Sequence, residues 1–69
     1  MTVDKANQII ENLRNQYGFG LLEMLEIMTD ELEHGGDEVF EVFYTAEERH
    51  AYRFLMAEFR QFFAKGATA

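Results

Sequence analysis

The chain has no cysteine and no serine among its 69 residues. Without cysteine, neither a disulfide nor a zinc–thiolate site can stabilise the fold. Cysteine and serine are also two of the side chains that enzymes commonly use as nucleophiles, and this chain has neither. We expect a non-enzymatic protein that binds neither a cofactor nor a metal ion.

Basic residues are scarce. Six Lys and Arg face thirteen Asp and Glu, which gives a net charge of −7. Nucleic-acid-binding proteins normally present a basic patch, and anionic membranes attract basic segments, so we expect neither direct nucleic acid binding nor membrane binding. No apolar run approaches 18 residues and the first residues do not resemble a signal peptide, so the sequence favours a cytoplasmic location.

The chain is too short to bury a large core. A chain of this size buries only about 60% of the surface that its unfolded form exposes. Residues 1–69 therefore make one small domain, yet they include seven Phe, three Tyr and four Met. This excess of apolar side chains favours a homodimer.

The first half of the chain has a helical repeat. Thr2 can cap a helix, and the apolar residues that follow lie within one arc of about 100°. The arc is formed by Val3, Ala6, Ile10, Leu13, Tyr17, Leu21, Met24, Met28 and Leu32. Because the phase passes through residues 18–20 without a slip, it predicts one helix over about 3–33. A break at Gly18-Phe19-Gly20 is the alternative, since two interior glycines are unfavourable in a helix.

Residues 34–37 predict a turn, with Gly35 ending the first helix and Asp37 capping a second one over about 38–65. Residues 38–44 are also compatible with a strand, because they are rich in β-branched and aromatic side chains. We favour a helix there, with a kink near Thr45, where a capping box begins. Residues 66–69 are expected to be a frayed tail. The predicted fold is an all-α antiparallel helical hairpin of two long helices that dimerises into a helical bundle.

An acidic stretch over residues 21–48 holds ten of the thirteen acids, and no Lys or Arg lies between Arg14 and Arg49. One interpretation is a solvated helix face that repels itself weakly. The other is a surface that docks on a basic protein partner. The residues predicted to form this partner-binding surface are Glu23, Glu26, Asp30, Glu33, Asp37 and Glu41.

An apolar stripe follows in the last helix at steps of three and four residues. It consists of Tyr52, Leu55, Met56, Phe59, Phe62 and Phe63. We expect this stripe to be core or dimer seam, and the alternative is an exposed groove for a partner helix.

Two Glu-x-x-His pairs, Glu31 with His34 and Glu47 with His50, have the spacing used in di-iron carboxylate bundles. In the helical register, Glu31 and His34 lie at the edge of the apolar arc or outside it. A cap for the first helix is therefore the favoured role of His34, and a surface or core-edge position that of His50.

Residues 37–56, DEVFEVFYTAEERHAYRFLM, resemble the middle of the Hha/YmoA family of small nucleoid-associated modulators. The shared residues are mainly Val42-Phe43-Tyr44-Thr45-Ala46 and Met56. The acidic-His-Arg step of the family occurs here as Glu48-Arg49-His50, and its C-terminal Pro and Trp have no counterpart. The resemblance implies binding to H-NS-type proteins. In length and turn position the chain is also similar to Rop and to YscE-type needle chaperones.

The function that these observations favour is a small acidic regulator or adaptor. It would dock on a basic surface of a protein partner, such as a transcription regulator, and inhibit or modulate it. Such proteins are common among phage and mobile-element genes. The alternatives are an Hha/YmoA-like modulator and a chaperone or export adaptor that binds through its aromatic face.

Overall fold

The computed structural model describes the backbone of residues 1–68 and the side chains of residues 1–61. The chain is all-helical over these residues, as predicted, and they contain no strand. Three helices follow in order: α1 (Val3–Tyr17), α2 (Leu21–Phe43) and α3 (Ala46–Thr68). The described part of the chain therefore has three helices, where the sequence predicted a hairpin of two. None of them has, within the described residues, a stretch long and apolar enough to cross a bilayer.

The first helix ends at the glycine-rich segment. At its start, the Lys5 amide donates to the Thr2 hydroxyl, as expected for an N-cap. At its end, Gly18 adopts the left-handed conformation (φ 77°, ψ 24°), and the amides of Gly18 and Phe19 both donate to the Arg14 carbonyl oxygen. The prediction of one helix over 3–33 is wrong, and the alternative of a break at 18–20 is confirmed.

The second helix begins directly after this break. Gly20 is its N-cap, and the Glu23 carboxylate accepts a hydrogen bond of 3.1 Å from the Gly20 amide. Met24 and Met28 are buried in the same core as Ala6 and Ile10 of α1. The apolar phase was continuous because both helices face one core. Hydrophobic period reports which side is buried, and it does not report whether the backbone continues.

The predicted turn at 34–37 is instead a kink within α2. Gly36 has φ 73° and ψ −173°, a combination open essentially only to glycine, and helix resumes after it. At Gly35 a Cβ would lie 2.5 Å from the Val39 Cβ, so a side chain there has no room. The helical interpretation of 38–44 is confirmed through Phe43, where α2 ends.

The capping box at Thr45 is confirmed. The Glu48 amide donates to the Thr45 hydroxyl at 3.1 Å, and the Thr45 amide donates to the Glu48 carboxylate at 2.9 Å. α3 then continues to Thr68, three residues beyond its predicted end at 65. The helical backbone of 66–68 does not test whether these residues fray, so the frayed tail over 66–69 stays a prediction, and residue 69 lies outside the described residues.

The core joins all three helices, and α1 packs mainly against α3. Phe40 lies at its centre, fully buried, with its ring 5.2 Å from the rings of both Tyr44 and Tyr52. Val3 and Tyr17, at the ends of the α1 part of the predicted arc, are exposed. The buried side chains are those of Ala6, Ile9, Ile10, Leu13, Met24, Leu25, Met28, Phe40, Tyr44, Ala51, Tyr52 and Leu55.

Candidate functional site

An open groove of about 420 Å³ has residues of α2 and α3 on its walls. We call it the α2–α3 groove. It combines an apolar floor with three carboxylates from α2. Its lining residues are Leu22, Leu25, Glu26, Thr29, Asp30, Glu33, Met56 and Phe59.

The apolar floor comes from both helices. Leu25 is buried in the core, whereas Leu22 is 68% exposed, which is high for a leucine beside a core. Met56 and Phe59 of α3 are half-buried against the core and line the opposite side. The groove therefore offers apolar surface that the described part of the chain does not cover.

A hydrogen-bond pair fixes the spacing of the two helices behind the groove. The Thr29 hydroxyl donates to the Leu25 carbonyl oxygen at 2.8 Å. Because this bond uses its only proton, the hydroxyl accepts the 2.7 Å bond from the Tyr52 hydroxyl. Sequence reasoning missed Thr29, since a polar residue within an acidic stretch does not reveal a partner 23 residues later.

The rim of the groove carries three exposed carboxylates, those of Glu26, Asp30 and Glu33, which we call the groove acids. They follow one another at steps of four and three residues, so they lie along one side of α2. Glu26 and Glu33 form no ion pair with any described side chain. This end of the acidic stretch therefore presents negative charge directly beside apolar surface.

Among the described residues, His34 is the one basic side chain that pairs with a groove acid. Its Nδ1 lies 2.8 Å from the Asp30 carbonyl oxygen and 3.1 Å from the Asp30 carboxylate. Its pKa is raised, first by the hydrogen bond to the backbone oxygen and then by the charges of Asp30 and Glu33. Protonation of His34 therefore places a positive charge at the rim of the groove. His34 lies two residues before the kink at Gly36, and its bond to the Asp30 carbonyl oxygen is the kind of contact expected of a residue that caps the end of a helical segment.

The other predicted docking residues have contacts of their own. Glu23 caps the start of α2. Asp37 accepts a 3.2 Å bond from Arg53, and Glu41 lies 3.5 Å from Arg49. The acidic stretch therefore does have counter-charges. They come from α3, which a scan of neighbouring sequence could not reveal.

The apolar stripe of the last helix serves two purposes. Tyr52 and Leu55 are core residues, and Met56 and Phe59 line the groove. The side chains of Phe62 and Phe63 lie outside the described residues. For the whole stripe, a core position and a groove position were the alternatives predicted from the sequence. The described part of the stripe contains residues of both kinds.

A second concavity, of about 330 Å³, is lined by residues of α2 and by residues of the α1–α2 and α2–α3 junctions on either side of it. The Tyr44 hydroxyl donates a 2.5 Å hydrogen bond to Glu31 at its edge, and Tyr17 stacks on Phe19 with ring centroids 6.0 Å apart. Burial raises the pKa of Tyr44, and the bond to Glu31 raises it further. Tyr17 and Phe43 leave much of their rings exposed here.

The Glu-x-x-His pairs are used differently from a metal site. Glu31 accepts from Tyr44, and His34 bonds to Asp30. His50 is exposed. No group of three or more potential metal ligands occurs within the described residues.

Comparison with known proteins gives no match. No protein-family model fits the chain, and no curated protein or solved structure is significantly similar to it.

Proposed function

We propose that this protein is a non-enzymatic regulator or adaptor that docks through the α2–α3 groove onto a basic surface of a protein partner. A transcription regulator, which must carry basic surface to bind nucleic acid, is a partner of this kind. Covering that surface would inhibit or modulate it. The observation that carries the proposal is the row of groove acids beside uncovered apolar side chains.

Specific binding needs both the groove acids and the apolar floor. Exposed charges raise the association rate and select partners of opposite sign, but salt screens them and each contributes little affinity. The apolar floor supplies surface whose burial contributes about 25 cal/mol per Å². Binding through the groove should therefore weaken with salt without disappearing.

Capture from an extract of the native host tests the proposal. The bait is the full chain, and its variant is Glu26→Gln/Asp30→Asn/Glu33→Gln. The matched control is Glu11→Gln/Glu38→Gln/Glu47→Gln, which changes the net charge equally at exposed positions away from the groove. Captured proteins are identified and quantified by mass spectrometry.

We expect the control to retain the same basic partner as the unchanged protein, and the groove variant to lose most of it. Equal retention by all three baits would show that the groove acids do not bind the partner. Capture of no protein by any bait would also contradict the proposal.

We also propose that the chain forms a homodimer. The support is apolar surface outside the groove, where Tyr17, Val42 and Phe43 are 57%, 81% and 61% exposed. Sedimentation equilibrium should give twice the chain mass, with Phe43→Ser shifting the protein toward monomer. A single-chain mass at high micromolar concentration would contradict the dimer.

A second candidate is modulation of an H-NS-type protein, as in the Hha/YmoA family. The residues that carry this resemblance form one structural unit, the corner between α2 and α3. Tyr44 is buried there and Thr45 caps α3, while Val42 and Phe43 are exposed. Titration of a purified H-NS-type protein should give saturable binding that Val42→Ser weakens. Absence of binding would exclude this candidate.

A further inference from the structure

Beyond the first turn of α2, the walls of the α2–α3 groove offer no backbone partner to a bound segment. Both α2 and α3 are helical along the groove, so past the first amides of α2 their backbone groups are hydrogen-bonded within each helix. An extended peptide lying on the apolar floor would lose water from its backbone groups and gain no replacement bonds there. A helical segment satisfies its own backbone, so it can bury apolar side chains without this penalty.

The size of the groove fits the side chains of one helix face. A twelve-residue helix with its side chains occupies roughly 1,400 Å³, from its length of about 18 Å and its diameter of about 10 Å. The groove holds about 420 Å³, and it is open. A helix can therefore insert a few side chains and leave its other faces in solvent.

The charges of the groove match a helix as well. Glu26 and Glu33 are seven residues apart, which is about 10.5 Å along α2. Two Lys or Arg residues that are seven positions apart on a second helix are separated by the same distance, so they could lie opposite Glu26 and Glu33. Leu22 and Phe59 provide apolar side chains on the walls of the groove, and the non-polar face of that helix would lie between them.

We infer, on the basis of the protein-binding function proposed above, that the groove binds an amphipathic α-helix of a partner protein. One face of this helix carries Leu-like side chains that contact the floor. The flank next to α2 carries Lys or Arg opposite the groove acids. The partner chemistry is thus a basic amphipathic helix and not a flat basic surface.

Three synthetic peptides of about 14 residues test the inference directly. The first is an amphipathic helix of Leu, Ala and Lys. The second has the same composition in an order that places no two Leu on one face. The third repeats the first with Glu in place of Lys. Binding of each labelled peptide to the full chain is followed by fluorescence anisotropy, and peptide helicity by circular dichroism.

We expect the basic amphipathic peptide to bind at least tenfold more tightly than either of the others and to become helical on binding. Leu22→Ser should weaken this binding several-fold. The matched control is Val3→Ser, which removes an exposed apolar side chain of α1 outside the groove and should leave affinity unchanged.

Equal binding of the scrambled peptide would show that charge alone drives docking and would overturn the helix inference. It would leave the proposed function standing, because a basic surface would still bind. Equal binding of the acidic peptide, equal effects of Leu22→Ser and Val3→Ser, or no binding of any peptide would overturn the inference as well. The capture experiment judges the proposed function separately.

Discussion

The carboxylates on the two sides of Gly36 have different surroundings, although they belong to one acidic stretch. Before Gly36, Glu26 and Glu33 border the groove and form no ion pair with a described side chain. After it, Asp37 and Glu41 lie within 3.5 Å of arginines from α3. Glu26 and Glu33 therefore lack a counter-charge among the described side chains, whereas Asp37 and Glu41 contact arginines of their own chain.

The kink at Gly36 explains this difference. It redirects the last part of α2, which brings Phe40 into the core and its neighbouring acids toward Arg49 and Arg53. Arg53 also lies over the Phe40 ring, with its guanidinium carbon 5.8 Å from the ring centre. Helix direction, and not charge density along the sequence, decides which acids acquire counter-charges.

Loss of Phe40 should have the largest effect on this arrangement, because the ring holds the second part of α2 against α3. We expect Phe40→Ala to lower the free energy of unfolding by about 3–5 kcal/mol. A domain of this length has about 3–10 kcal/mol in total, so the variant should be close to unfolding. Urea denaturation measures the change. Leu22→Ala, at an exposed side chain on the same helix, is the control and should change stability by less than about 1 kcal/mol.

Gly36→Ala should have the next largest effect. An alanine in the backbone conformation of Gly36 is strained, and we expect a loss of about 1–3 kcal/mol. The comparison is Gly20→Ala, where φ is −75° and no atom lies within 4 Å of the added Cβ. Thermal unfolding should show a clearly lower midpoint for the first variant only. Equal midpoints would mean that the kink is not required by the fold.

The two sets of acids should differ in the sign of their effect on stability. Asp37→Asn and Glu41→Gln each remove an exposed ion pair and should lower stability by up to about 1 kcal/mol. Glu26→Gln and Glu33→Gln relieve repulsion from Asp30 and should raise it by a few tenths of a kcal/mol each. Urea denaturation at low salt compares the two pairs. The same sign for both would contradict this difference between the two sides of Gly36.

The smallest effect concerns pH. Because the pKa of His34 is raised above its usual 6.5, its imidazole gains a proton as pH falls from 8 to 5.5. The added charge offsets the carboxylates of Asp30 and Glu33, so affinity for the basic amphipathic peptide should fall. The group is exposed and screened, so the change should be about twofold or less. His34→Gln should remove this dependence, and anisotropy titrations across that range test it.

Local features of the sequence predicted local structure well. The caps at Thr2 and Thr45 and the helix over 38–43 depend on residues a few positions apart, so the sequence contains the whole interaction. The break at Gly18 was only an alternative, since the apolar phase is the same on both sides of it. The pairs of Arg49 and Arg53, and the Thr29–Tyr52 bond, depend on how helices meet. A linear pattern does not contain that information.

We expect Glu26 and Glu33, before Gly36, to bind a partner, and Asp37 and Glu41, after it, not to bind one. The most direct test is the affinity of the basic amphipathic peptide for two variants with equal charge changes. These are Glu26→Gln/Glu33→Gln and Asp37→Asn/Glu41→Gln. We expect at least fivefold weaker binding for the first variant and less than twofold weaker binding for the second. Equal weakening by both would mean that the peptide senses only total charge, and would contradict the claim.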